Sequence, residues 1–276
     1  MLTKHKFVLI GKFLVCFSEY LDFQYELSKL WGGFFFTIQS NEAALKLALK
    51  KVPCLRRLNS YDGWHFQSHY GITKISYTIK REDVFAFEYK ESVKNLTILI
   101  TNNDCKFFRL SQQFGLMIAL HESCIGLHGV TLMCRNEVVI LSAPSGTGKT
   151  TLGHLLEEYF DGMIINGDFA LLSVSEDGVI FEPTPFCGTS RRALNHRVRV
   201  NRVVFLEQST KNQWSVLDTR TAMIKFLANT FIPSWDKNMS SIIQENIAKC
   251  ISFLKINSFA FVPEVKAAEM FFNHIE

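Results

Sequence analysis

No Cys-x-x-Cys pair, no block of five like charges, no internal repeat and no low-complexity linker occurs in this chain of 276 residues. The first absence, with an odd set of scattered cysteines (Cys16, Cys54, Cys105, Cys124, Cys134, Cys187 and Cys250), argues against a zinc site or a disulfide framework. Reduced thiols and a cytoplasmic setting are expected instead. A net charge of +4 without a basic cluster gives no electrostatic footprint for nucleic acid. The longest N-terminal apolar run, Phe7 to Phe17, is interrupted by Lys12 and followed by no small-residue cleavage site. It is too short to cross a bilayer and alternates as a strand does, so neither a signal peptide nor a membrane partner is expected.

The chain has 47% hydrophobic and 20% charged residues, enough apolar content for a folded core and too much for wholesale disorder. Its 25 phenylalanines point to no site by themselves. Residues 1–108 read as a small antiparallel β or α+β region. Lys74 to Lys80 and Val84 to Tyr89 alternate with period two, and Asn95 to Thr101 is β-branched. A helical island is expected over Glu42 to Val52. Trp64, His65 and His69 sit in an aromatic, strand-like segment, which favours packing over metal ligation. This region carries no catalytic motif and is the candidate acceptor-binding part.

Near residue 108 the periodicity changes, which marks the domain boundary and opens a second domain over 109–276. Leu110 to Ile125 reads as a helix, and Gly126-Leu127-His128-Gly129 as a break. Val130 to Met133 and Glu137 to Ser142 read as a hairpin, with further strands at Met163 to Asn166, Ala170 to Val174, Val179 to Glu182 and Val200 to Leu206. Met239, Ile243, Ile247, Cys250 and Leu254 fall on one helical face. A strand at Phe259 to Val262 and a helix at Glu264 to Phe272 close the chain.

The hairpin leads into Ala143-Pro144-Ser145-Gly146-Thr147-Gly148-Lys149-Thr150-Thr151, and a helical pattern follows from Leu152 to Tyr159. Strand, glycine loop, Lys-Thr and helix is the setting of a phosphate-binding loop. Gly146 and Gly148 let successive N–H groups turn into one concavity, and the helix N-terminus adds its unpaired donors. The backbone of Ser145 to Thr151 would cradle the phosphates of a nucleotide. Lys149 would reach the β and γ phosphates, and the Thr150 hydroxyl would ligate Mg²⁺.

Chemistry also needs a carboxylate. Asp168, at the end of the apolar strand Ile164-Ile165-Asn166, would ligate Mg²⁺ or take the proton of an attacking hydroxyl; an ordinary turn aspartate is the competing reading. Arg191 and Arg192 follow the loop Pro183-Thr184-Pro185-Phe186-Cys187-Gly188. Either suits a clamp on transferring charge, or is a solvated loop cation. Arg197, Arg199 and Arg202 read as strand-edge solubilising charges. His128, taken alone, reads as structural, and Cys187 has no partnered base to make it a nucleophile.

Leu127-His128-Gly129, the Lys149 loop, Asn166-Gly167-Asp168, Thr184 to Gly188 and Val203 to Glu207, in this order, resemble the HPr kinase-like proteins, whose phosphate-loop core is shared with ATP-dependent PEP carboxykinase. The nearest likeness is to small bacterial peptide-modifying serine kinases, including lasso-peptide kinases. It covers about residues 110–275. The resemblance implies an α/β fold with a phosphate-loop core, a mixed sheet and flanking helices, after the β-rich N-terminal region. It implies γ-phosphoryl transfer from Mg²⁺-ATP to a serine-type hydroxyl of a peptide or protein, or of a small hydroxylated metabolite. Asp168 becomes the base, His128 a site residue near the phosphates and Arg191 or Arg192 a clamp; a homo-oligomer is also implied. Two departures stand out: Gly167 replaces the first of two adjacent aspartates, and Phe169 stands where the nearest look-alikes carry arginine. An ATP sensor without transfer activity, or a phosphatase or phosphorylase on the same core, are the alternatives. Nothing matches the carboxylate-binding apparatus of PEP carboxykinase, so decarboxylation is not expected.

Overall fold

In the computed structural model the described residues are 6–10, 13–18, 24–31, 33, 35–36, 45–52, 63–79, 82–90, 95–101, 105–188 and 190–275. They form two compact units, Met1–Leu120 and His121–Glu276. Both are built on mixed sheets, and the class is α/β.

The first unit holds β1 (Lys6–Ile10), β2 (Phe13–Ser18), α1 (Gln24–Trp31), β3 (Phe35–Phe36), β4 (Leu45–Lys51), β5 (Gly63–His69), β6 (Ile72–Ile79), β7 (Glu82–Lys90), β8 (Asn95–Ile100) and α2 (Cys105–Leu120). Its sheet runs β3-β1-β2-β4-β8-β7-β6-β5. The helix expected over Glu42 to Val52 is instead strand β4; residues 42–44 lie outside the described set. Parallel pairing with β2 and β8 on its two sides overrides the helical propensity of an Ala-Leu-Lys segment, and Leu47 and Leu49 alternate into the core. Trp64 sits in an aromatic cluster with Tyr77, Phe85, Phe87 and Phe114, with centroids 4.8, 5.9, 6.3 and 4.9 Å away. His65 beside it is buried, while His69 is exposed. Helix α2 packs on β7 and β8, which carries the boundary between units to Leu120.

The second unit holds β9 (Cys124–Cys134), β10 (Glu137–Ser142), α3 (Lys149–Tyr159), β11 (Met163–Asn166), β12 (Phe169–Ser175), β13 (Gly178–Glu182), β14 (Val198–Arg199), β15 (Arg202–Gln208), β16 (Gln213–Val216), α4 (Thr219–Asn229), α5 (Lys237–Phe253), β17 (Lys255–Phe261) and α6 (Val265–His274). The strand order is β14-β13-β12-β9-β10-β15-β17-β16, with β11 paired to β9. β10, β15 and β17 are parallel, and β9 is antiparallel to β10.

Strand alternation divides the core into two layers. Val138, Ile140, Val203 and Phe205 pack with Phe226 of α4 and with Ile243 and Ile247 of α5. Val139, Leu141, Val204 and Leu206 pack with Leu152 and Leu156 of α3 and with Phe271 of α6. Central strands buried on both faces explain the unbroken apolar runs of β10 and β15. The break expected at Gly126-Leu127-His128-Gly129 does not occur. These residues lie inside the eleven-residue strand β9, whose first half pairs with β12 and second half with β10. Helix α2 accordingly stops at Leu120, short of the Ile125 end expected from periodicity.

Candidate functional site

The glycine loop leaves the C-terminal end of β10 and turns directly into α3. Gly146 and Gly148 have φ of 82° and 104°, left-handed values that side chains disfavour. A β-carbon on Gly148 would also lie 3.0 Å from the Phe261 ring. The Lys149 side chain folds under the loop: Nζ donates to the carbonyl oxygens of Ala143 at 2.8 Å and Pro144 at 3.0 Å. Thr147 Oγ1 donates to Pro144 O at 2.9 Å, and Gln208 Nε2, from the end of β15, donates to Gly146 O at 3.2 Å. Ser145, Gly146 and Thr151 are exposed, and Thr150 is half-buried at the first turn of α3.

Helix α3 begins differently from α4 and α5. α4 and α5 are capped by aspartates, Asp218 accepting from Thr221 N and Asp236 from Met239 N. α3 starts on Gly148, with no side-chain cap and no acidic residue in its first turn. Its positive end therefore faces the loop with no carboxylate from its own first turn or cap against it, which fits an anion held by backbone N–H groups. Burial, the larger effect, pulls the Lys149 amine below its ordinary range, and the Asp168 charge partly opposes this.

Asp168 is placed by Asn166. The Asn166 side chain is fully buried; its Oδ1 accepts from the N–H groups of Asp168 and Phe169 at 3.1 Å each, and its Nδ2 donates to Thr184 O at 3.0 Å. This Asx turn joins β11 to β12 and projects the aspartate from the corner. The Asp168 carbonyl accepts from Gly129 N at 2.9 Å. Its Oδ1 lies 3.3 Å from His128 Nε2, both side chains being partly exposed. His128 is held by pairing of β9 with Phe169, and its carbonyl accepts from Ser142 Oγ at 2.9 Å, one residue before the glycine loop. Sequence-distant His128, Lys149 and Asp168 thus converge, and Asn166 is the supporting residue whose role the sequence did not reveal.

The segment after β13 closes beside this corner. Gly167 N donates to Arg192 O at 3.1 Å, Leu194 N donates to Ile165 O at 2.9 Å, and Asn166 bridges Ala193. Phe169 is buried edge-on against Phe186, with centroids 5.8 Å apart. Arg191 and Arg192 are exposed on the loop, and Arg191 has a left-handed φ of 56°. The contact between His128 and Asp168 does not include either arginine.

Two of the arginines expected to solubilise a strand edge have other work. Arg197 Nε donates to both oxygens of Glu182, a carboxylate fully buried and also met by Ser173 Oγ. Arg202 is buried, with Nε donating to Glu137 Oε2 at 2.8 Å and Nη1 to Asn257 Oδ1 at 2.8 Å. Both sit where the fold leaves an interior carboxylate needing a cation. Among the described residues, no group of three or more His, Cys, Asp or Glu could hold a metal ion. Cys16, Cys124, Cys134, Cys187 and Cys250 are free thiols. No helix of the described residues is long and apolar enough to cross a membrane.

No family model and no curated protein matches the chain. Among solved structures it is similar to the HPr(Ser) kinase/phosphatase from Coxiella burnetii, at 12% identity and a TM-score of 0.25, over 44% of this chain and 93% of that one. At those values the likeness carries no inference about this chain, whose reading rests on its own residues.

Proposed function

We propose that the chain is an ATP-dependent kinase that transfers the γ-phosphoryl group to a serine-type hydroxyl of a peptide or protein, on a phosphate-loop core of the HPr kinase type over residues 109–276. The observation that carries the reading is the left-handed glycine loop closed over buried Lys149, with the His128–Asp168 pair beside it. Phosphoryl transfer asks mainly for positioning and charge neutralisation. The N–H groups of Ser145 to Thr151 hold the phosphates, and Lys149 exchanges its loop carbonyls for phosphate oxygens. Thr150 and Asp168 are the residues that would hold Mg²⁺, which would supply charge neutralisation to the phosphates.

Asp168 accepts the proton as the acceptor oxygen bonds to the γ-phosphorus and the bond to the ADP oxygen breaks. His128 orients that carboxylate, and Arg191 serves as a clamp on the transferring charge. The acceptor is assigned to residues 1–108 because no other motif claims that region. If a folded protein lacking those residues used the acceptor unchanged, the assignment would be lost.

The second reading, an ATP sensor, is favoured by Gly167, where only one carboxylate remains in the corner. The two part in an assay with γ-labelled ATP, Mg²⁺ and a peptide or lysate acceptor, comparing wild type with Lys149→Ala and Asp168→Asn. A kinase labels one acceptor with wild type only. ATP binding with no label in any fraction, altered by Asp168→Asn at most in its metal dependence, identifies the sensor.

A further inference from the structure

The space beside Asp168 that a side chain on residue 167 would fill already belongs to another residue. A β-carbon on Gly167 would lie 1.6 Å from Ser190 Oγ, 2.4 Å from Ser190 Cβ and 2.9 Å from the Cys187 carbonyl oxygen. The first two distances are far inside contact, and the third involves backbone that cannot swing away. The serine is itself held: its hydroxyl donates to Cys187 O at 2.8 Å and accepts from Arg192 N at 3.1 Å. Gly167 N in turn donates to Arg192 O at 3.1 Å, so residues 167, 187, 190 and 192 form one hydrogen-bonded knot.

Asp168 is walled on its other side by backbone. A β-carbon on Gly188, whose φ is 56°, would come within 2.7 Å of both Cβ and Cγ of Asp168. The side chain therefore stands in a slot between the Gly188 backbone and His128, and the knot sets how closely that backbone approaches. We propose that Ser190 is a positioning residue for Asp168: by occupying the side-chain space of Gly167 it locks residues 187, 188 and 190–192 against the corner and fixes where the single carboxylate faces. The obligate glycine at 167 follows from this lock. The placement claim stands on geometry alone, and only its effect on rate rests on the kinase reading.

The test uses the full chain and three readouts. Ser190→Ala, which removes only the hydroxyl, and Ser190→Gly are expected to shift the ring resonances of His128 toward their positions in Asp168→Asn. Those of His154, paired instead with Glu157, should stay put. Gly167→Ala should lower Tm by on the order of 5 °C, and adding Ser190→Gly should recover part of that loss, the Cys187 carbonyl contact remaining. If the protein transfers phosphate, Ser190→Ala should lower kcat on the order of tenfold, with the KM for ATP within about twofold of wild type. A folded Ser190→Ala with wild-type His128 resonances overturns the proposal, as does a double variant no more stable than Gly167→Ala. A Tm change without movement of the His128 signals assigns Ser190 a purely structural role and also overturns it. Should wild type transfer no phosphate, the kinase reading falls while the resonance and Tm readouts still decide the role of Ser190.

Discussion

The ammonium of Lys149 lies 2.8 Å from the carbonyl oxygen of Ala143, six residues earlier, so the loop's only lysine is tied to the loop itself. It is a buried cation held by neutral carbonyls, with the Asp168 charge as partial compensation. Such a group loses its proton more readily than an ordinary lysine, and this fixes the sign of two opposing pH effects.

Below the ordinary lysine value of 10.5, there is an alkaline window in which the unfolded chain keeps the Lys149 proton and the folded chain releases it. The unfolded state then binds more protons, so this residue's contribution makes the protein more stable as pH rises through the window. Nucleotide affinity should fall over the same window as the cation disappears. Lys149→Met should remove both trends, weakening ATP binding roughly tenfold to a hundredfold. Calorimetric binding and thermal melts across alkaline pH are the measurements, and parallel rather than opposing trends would refute the assignment.

Gly148 and Gly146 should respond differently to alanine. At Gly146 a β-carbon meets nothing within 4 Å, so Gly146→Ala carries only the left-handed strain of about 1 kcal/mol. Gly148→Ala adds the Phe261 contact at 3.0 Å and should cost more, with greater loss of nucleotide binding. Urea unfolding of both variants reads the order directly.

Asn166→Ala removes three hydrogen bonds from a fully buried side chain and leaves two N–H groups and one carbonyl without it. A loss of about 2–4 kcal/mol is expected by denaturant titration. Because those N–H groups belong to Asp168 and Phe169, any activity should fall further than stability alone explains.

Glu137 ties Arg202 and Lys255 together, at 2.8 and 2.6 Å. Burial pushes its carboxyl upward, but the hydrogen bonds and charges of Arg202 and Lys255 outweigh this and hold it below the usual range. Its contribution is present above the ordinary value of 4.5 and is lost as pH falls through the lowered one. Glu137→Ala leaves Arg202 buried without its carboxylate and should cost about 3–5 kcal/mol near neutral pH. Acid unfolding of the variant should be shallower than that of wild type.

Much of the second unit was legible because its signals are local. The glycine loop announces itself by spacing, β10 and β15 by unbroken apolar runs, and α5 by a 3.6-residue period that places Met239, Ile243, Ile247 and Cys250 in the core. Residues 45–51 were misread for the opposite reason: a segment rich in Ala, Leu and Lys has helical propensity, and only pairing with β2 and β8 makes it a strand. The glycines at 126 and 129 suggested a break, yet both sit in β9, where neighbours on either side supply the ladder. Arg202 looked like a surface charge because its carboxylate, Glu137, lies far away along the chain.

The sequence by itself determined the loop, the position of many strands along the chain and the residue types of the candidate site, since these follow from φ preferences and hydrophobic period within short windows. Only the tertiary structure decided that His128 meets Asp168, that Asn166 builds the corner carrying it, and that Ser190 takes the space denied to residue 167. Those relations join residues on different strands and loops. They come into being only when the sheet brings distant backbone within hydrogen-bonding and packing distance, which no local pattern encodes.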